Sequence, residues 1–275
     1  IGLNLGLGKR LRWPDDYFTI SQSINIQQYK LKNRALVPGF SDGISKNISY
    51  RTTFSRSSIF DPIFPKTGSQ FTFIGHFTPP YSLFNKKDYS TMTLNEKYEW
   101  LEYFKIKLNG TWYANPFADL VIKTQSAFGF LMNYNSEVGL PPFERFFVGG
   151  DGLMGFNMDG REVIGLRGYA NNTLSQHLTA GGSIYSKYTL ELRYPLSLNP
   201  SSTIYATGFA EAGNAWGSFS DFNPFEVKRS LGFGIRIFMP MFGLLGFDFA
   251  HGYDPIPGAI QKSGWQTHFS IGQQF

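Results

Sequence analysis

Lys187-Tyr188-Thr189-Leu190-Glu191-Leu192-Arg193-Tyr194 is the stretch that decides the fold class. Read at period two, one face carries Lys187, Thr189, Glu191 and Arg193, and the other carries Tyr188, Leu190, Leu192 and Tyr194. Successive side chains of a strand point to opposite faces, so this is an amphipathic strand; a helix would smear both sets around its cylinder. A large soluble sandwich and a transmembrane barrel both show such alternation. The polar face separates them. Lys, Glu and Arg together suit a wet lumen better than a dry sandwich core, and the apolar set is then turned to lipid.

The same alternation recurs outward from this segment. Val227, Leu231, Phe233, Ile235 and Ile237 alternate with Lys228, Ser230, Gly232, Gly234 and Arg236. Phe104, Ile106 and Leu108 alternate with Lys105, Lys107 and Asn109. Trp265, Thr267, Phe269, Ile271 and Phe275 alternate with Gln266, His268, Ser270, Gly272 and Gln274, and Asp248 reads as a lumen residue of its strand. Strands are expected near 2–11, 16–31, 45–57, 69–79, 97–113, 119–131, 181–195, 202–217, 227–239, 243–252 and 265–275. Each has the length that a tilted membrane-crossing strand needs, or somewhat more.

Short connections at 12–15, 59–68, 115–118, 199–201 and 240–242 alternate with longer ones at 32–44, 80–96, 132–180, 218–226 and 253–264. That is the pattern of an up-and-down outer-membrane barrel. Trp13, Tyr17, Phe18, Trp112, Tyr113, Phe117, Trp216, Phe219 and Tyr253 fall near strand ends, where interfacial girdles place aromatics. The expected fold is therefore all-β, a transmembrane antiparallel up-and-down β-barrel with no transmembrane helix.

Composition agrees. Of 275 residues, 17% are aromatic and 16% charged, which excludes a disordered chain. The absence of cysteine excludes a disulfide scaffold. A net charge of +5 without a basic run gives no nucleic-acid footprint. The strand count is odd and Ile1 already lies in a patterned segment, so further strands are expected before it, because an open edge in lipid leaves backbone groups unsatisfied.

The long connection at 132–180 is expected to fold back and pack, being rich in aromatics and glycines. Its Pro142-Phe143-Glu144-Arg145-Phe146-Phe147-Val148-Gly149-Gly150, followed by Leu166-Arg167-Gly168-Tyr169, resembles the sixth extracellular loop of BamA-type outer-membrane assembly factors. Tyr188–Pro195 and Gly208–Trp216 resemble that family's twelfth and thirteenth strands, and Thr267–Phe275 its last. The resemblance runs over the whole chain and implies that it is the C-terminal part of a sixteen-stranded barrel, its strands six to sixteen, with the POTRA modules and first strands expected outside 1–275.

The resemblance implies roles. Arg167 would tuck into the lumen and pair with Glu191 and Glu211, Gly168 would permit close backbone approach, and Tyr169 would wedge against lumen aromatics. Strand 265–275, with Trp265, Phe269, Ile271, Gly272 and the terminal Phe275, would form one side of a lateral seam and carry the assembly signal. Two departures stand: Leu166 replaces Val, and Met154-Gly155-Phe156 occupies the position where the Arg motif is usual, leaving two candidate motif sites.

The implied function is insertion of other outer-membrane β-proteins by edge-strand templating. Implied partners are unfolded clients, accessory lipoproteins, outer-membrane lipid and lipopolysaccharide, with the long loops as docking surfaces. No covalent enzyme, cofactor or metal is expected. A two-partner polypeptide secretion transporter and a passive porin or hydrolase barrel are the alternatives. Gly150-x-Gly152-x-x-Gly155 lacks the strand–helix context of a dinucleotide site. His76, His177, His251 and His268 lack metal-ligand spacing, and His251 and Asp254 are expected to decorate a loop.

Overall fold

The computed structural model describes residues 1–32, 40–85, 87–152, 162–178, 181–199 and 201–272. In chain order the elements are β1 (Gly2–Arg10), β2 (Phe18–Leu31), β3 (Gly43–Ser57), β4 (Gly68–Phe77), α1 (Tyr81–Asn85), α2 (Leu94–Lys97), β5 (Phe104–Phe117) and β6 (Leu120–Met132). A 3-10 turn (Pro142–Glu144), β7 (Phe146–Val148) and β8 (Glu162–Ile164) follow within the long connection. Then come β9 (Ile184–Asn199), β10 (Ser202–Trp216), β11 (Lys228–Met239), β12 (Gly243–Pro255) and β13 (Lys262–Ile271).

Eleven strands form one sheet in the order β1-β2-β3-β4-β5-β6-β9-β10-β11-β12-β13, while β7 and β8 make a separate parallel pair. Every neighbouring pair of the large sheet is antiparallel and joined without a crossover, apart from the β7–β8 excursion. This is the up-and-down order that the alternating connections predict. The sheet is not closed: β1 and β13 are its margins. No helix among the described residues is long and apolar enough to cross a membrane.

The wall is apolar outside and polar inside. On β9, Lys187, Thr189, Glu191 and Arg193 are buried, whereas Leu190, Leu192, Tyr194 and Leu196 are exposed. Leu231 and Phe233 of β11, Phe247 and Phe249 of β12, and Trp265 of β13 are likewise exposed, opposite buried Ser230, Arg236, Asp248 and His268. Large apolar side chains outside and charges inside invert the order of a water-soluble domain and match a wall facing lipid.

Several local expectations are corrected. A strand does not start at 97: Leu94–Lys97 is a helical turn held by a capping box between Thr93 and Glu96, a signal legible as Thr-x-x-Glu. β5 instead starts at Phe104 and runs to Phe117, with a register shift between Ala114 and Phe117, so the turn falls at 118–119 rather than 115–118. β12 extends to Pro255, so His251 and Asp254 lie in a strand rather than on a loop. There Asp254 accepts from the backbone amide and the guanidinium of Arg229. β13 starts at Lys262 rather than 265 and is described as far as Gly272, whose φ is +68° and whose amide still donates to Leu244 O. Tyr113 and Trp216 are buried instead of joining the exposed aromatics Trp13, Trp112, Phe117 and Phe219. Phe275 and the Met154-Gly155-Phe156 alternative lie outside the described residues.

The apolar core sits inside the wall in two clusters. At the long-connection end, Phe143, Phe146, Val148, Leu166, Tyr169 and Leu174 pack against wall residues Leu131, Tyr185 and Ala215. At the opposite end Phe64, from the β3–β4 turn, packs with Tyr113, Val121, Tyr205 and Leu244.

Candidate functional site: the Arg167 loop in the lumen

The loop enters the lumen along a strand that the wall itself templates. The Phe146 amide donates to Gly182 O, and the Gly182 amide to Phe146 O, each at 2.8 Å. The Phe146 ring packs edge-on against Tyr185 of β9, with centroids 4.7 Å apart. Gly149 and Gly150 follow at φ +121° and +85°, conformations that favour glycine. Gly149 donates to Ile164 O and Gly150 to Leu166 O, which ties the first limb to the parallel limb that carries β8.

Two lysines of β5 brace this second limb. Glu162 meets Lys105 and Lys107, both at 2.7 Å. Burial works against the Glu162 carboxylate, but the two ammonium groups outweigh it and hold its pKa at about 2. Lys105 also donates to the Glu144 carbonyl at 2.8 Å, so it clamps both limbs together.

At the tip, Arg167 is fully buried. Its Nη2 donates to Glu191 of β9 at 3.0 Å and to Glu211 of β10 at 2.9 Å. Its Nη1 lies 3.5 Å from Asp248 of β12, and its backbone amide donates to the second Glu211 oxygen at 2.8 Å. The guanidinium sits 3.4 Å from the Phe209 ring centroid, a cation–π contact in a dry site. Burial alone would favour the neutral base, yet Glu211, Glu191 and Asp248 together keep Arg167 more firmly protonated than free arginine.

Each carboxylate has a further cation. Arg193 Nε donates to Glu191 at 2.7 Å, Lys187 lies 3.4 Å from Glu211, and Arg236 grips Asp248 through two bonds of 2.9 and 2.8 Å. Pairing of this kind offsets the cost of burying charge. The site is thus a network on four wall strands, closed by one loop arginine.

Gly168 and Tyr169 continue across the lumen. Gly168 has φ +86°, and a Cβ there would lie 2.6 Å from the Ser230 side chain and 3.1 Å from the Gly252 amide nitrogen. Its amide donates to His268 Nε2 at 2.9 Å, and its carbonyl accepts from Ser263 Oγ at 2.7 Å. Tyr169 is buried and donates to Arg229 O at 2.8 Å. Leu166 is buried in the long-connection core.

Leu166, Arg167, Gly168 and Tyr169 are therefore brought together with Glu191 and Glu211. Trp265, Phe269 and Ile271 are not: they are exposed on the outer face of β13. Sequence reading misses the contacts of Asp248, Phe209, Ser263 and His268 with the loop tip. Asp248 and His268 are legible only as polar-face positions, because alternation gives the face and not the partner. Among the described residues no group of His, Asp and Glu is arranged to hold a metal ion.

A family model described as the Omp85 superfamily domain matches residues 1–275. No curated protein sequence matches the chain. Among solved structures, the fold is similar to BamA from Haemophilus ducreyi lacking POTRA domains 1–3, at TM-score 0.67 and 16% identity over 98% of this chain and 54% of that one. It is also similar to CdiB from Escherichia coli, at TM-score 0.59 and 13% identity over 98% of this chain and 44% of that one. The chain spans about half the length of these structures. With the lipid-facing wall and the family match over its whole length, the chain belongs to the Omp85 superfamily of outer-membrane β-barrel proteins.

Proposed function

We propose that this chain is the C-terminal barrel segment of a BamA-type insertase, the central subunit of an outer-membrane assembly complex. The observation that supports this reading best is the anchored loop. Arg167 and its carboxylates occupy the lumen. A filled lumen favours work at the wall over threading through it. Strand addition at a margin supplies backbone hydrogen bonds to an incoming strand whatever its sequence, which suits a varied set of clients.

On this reading the partners are unfolded outer-membrane β-proteins, accessory lipoproteins and the surrounding lipid and lipopolysaccharide. Trp265, Phe269 and Ile271 give the seam strand its lipid face, and Gly272 weakens its edge, with Phe275 as the assembly signal. No covalent step is involved, so the protein acts without catalytic residues or a cofactor.

The test uses the full-length protein in liposomes. The rate at which an unfolded client barrel becomes protease-resistant is followed with wild type and with Arg167→Ala, with conductance recorded in parallel. Accelerated client folding that is lost in the variant supports an insertase. Steady conductance without client folding, with accessory subunits supplied, overturns it in favour of a polypeptide transporter or a passive pore.

A further inference from the structure

The residues that hold Gly168 are on a different strand from those that hold Arg167. Arg167 is bound by β9, β10 and β12, whereas both polar partners of Gly168, His268 and Ser263, belong to β13. That strand pairs with β12, whose Asp248 lies opposite His268. The loop reaches the strand at two points five residues apart: the Gly168 amide on His268, and the Gly168 carbonyl on Ser263. The approach is as close as the backbone permits, since a Cβ on Gly252 of β12 would lie 2.3 Å from the Gly168 carbonyl oxygen.

We propose that His268 and Ser263 form a latch through which the Arg167 loop holds the edge strand β13, and that this latch closes only while the His268 imidazole is neutral. The chemistry follows from the direction of one hydrogen bond. A ring nitrogen that accepts from an amide carries no proton, so the imidazole proton sits on Nδ1. A second proton at Nε2 turns the acceptor into a donor that faces the Gly168 N–H, which breaks the bond and leaves two donors opposed.

The groups around His268 make it responsive to the rest of the site. Asp248 is its register partner on β12, Glu211 acts from β10, and Asp151 and Arg167 act from the loop. Gln266 and Ser270, its lumen-side neighbours on β13, carry no charge. Arg167 and His268 therefore share Asp248 and Glu211, so the ion-pair anchor and the latch respond to each other. This inference deepens the insertase reading by naming what couples loop to seam strand. Its test reads protection of backbone amides rather than client folding, so either reading can fail alone.

The experiment is hydrogen–deuterium exchange on the full-length protein in lipid nanodiscs, corrected for intrinsic exchange, between about pH 8 and about pH 4, a range that brackets imidazole titration. In wild type, peptides containing Gly168 and peptides of β13 gain exchange together as pH falls. His268→Ala shows that gain already at high pH, by about fivefold to a hundredfold, as expected for losing one buried hydrogen bond. His268→Gln restores protection at both ends of the range, because an amide oxygen can accept from Gly168 and does not titrate. Ser263→Ala raises exchange at Gly168 and β13 without changing the pH dependence.

Wild-type protection that is flat with pH would overturn the proposal. So would His268→Ala loosening the loop while β13 stays protected, since the contact would then be local. If His268→Ala loses protection in β9 and β10 as well, it has not folded, and Ser263→Ala and His268→Gln carry the test instead.

Discussion

Removing the Arg167 guanidinium is the sharpest perturbation of the loop anchor. Arg167 meets Glu191, Glu211 and Asp248 at 3.0, 2.9 and 3.5 Å with no exposure to solvent. Taking one partner from a buried ion pair costs about 3–5 kcal/mol, most of it the penalty of a stranded charge. Here the stranding is partial, because Arg193, Lys187 and Arg236 each remain on one of the three carboxylates. Arg167→Ala should therefore fall at the lower limit, about 3 kcal/mol, or about a hundredfold in the loop-docking equilibrium. Arg167→Lys should fall between, since an ammonium can replace the Nη2 bonds to Glu191 and Glu211 but not the second nitrogen's approach to Asp248. The assay is the rate of proteolysis within the long connection, measured on the full-length protein in lipid. A cycle with Glu211→Gln should return a coupling of about 0.5–3 kcal/mol between the two side chains. If Arg167→Ala leaves proteolysis unchanged, the loop is held by the apolar cluster and the Lys105–Glu162 brace, and the ion-pair network is not its anchor.

Three further outcomes test other links. Leu192 is exposed on β9 between buried Glu191 and Arg193, so Leu192→Lys should destabilise the membrane-inserted barrel by about 2–4 kcal/mol if it lies near the midplane, read by unfolding in lipid. Gly168→Ala places a Cβ 2.6 Å from the Ser230 side chain at φ +86°, and should release the loop at a cost of about 1–3 kcal/mol with wall strands intact, read by exchange in β9 and β10. Glu162 is held at about 2, below its ordinary 4.5, so its brace contributes fully above pH 4.5 and is lost as pH falls from 4.5 towards 2. Loop proteolysis should rise over that window in wild type, and Glu162→Gln should show the raised rate at neutral pH and a flatter profile.

The wall is the part of this fold that the sequence makes legible. Period-two alternation assigns a face to every strand residue, so it alone places Glu191, Glu211, Asp248 and His268 inside. The Arg167 motif is legible by resemblance, and an arginine entering a lumen requires carboxylates whatever its family. The partners on other strands are not legible. Asp248 approaches Arg167 only because β12 lies two strands from β10 in a curved wall, and curvature leaves no periodic trace. His268 reads in the sequence as one of four scattered histidines, since a histidine that accepts from a backbone amide on a loop 100 residues away has no spacing to betray it. Element ends depart from the pattern where a side chain overrides it, as with the Thr93 cap.

The opposite end of the lumen bears on the route a polypeptide could take. In the β3–β4 turn, Asp61 accepts from the amides of Ile63 and Phe64 at 2.8 and 3.0 Å, a local turn that sends Phe64 inward. Phe64 is buried against Tyr205 of β10, with ring centroids 5.1 Å apart, and clusters with residues of β5, β6 and β12. A chain threading the lumen would have to displace this plug as well as Arg167. Truncating a buried Phe costs about 3–5 kcal/mol, similar to breaking the Arg167 anchor. The two obstacles lie in series, so Phe64→Ala or Arg167→Ala alone should raise conductance of the full-length protein in a planar bilayer only slightly. The double variant should raise it by far more than the sum. A single variant that opens the pore fully would mean the other end offers no resistance, and the filled-lumen argument for work at the wall would fail with it.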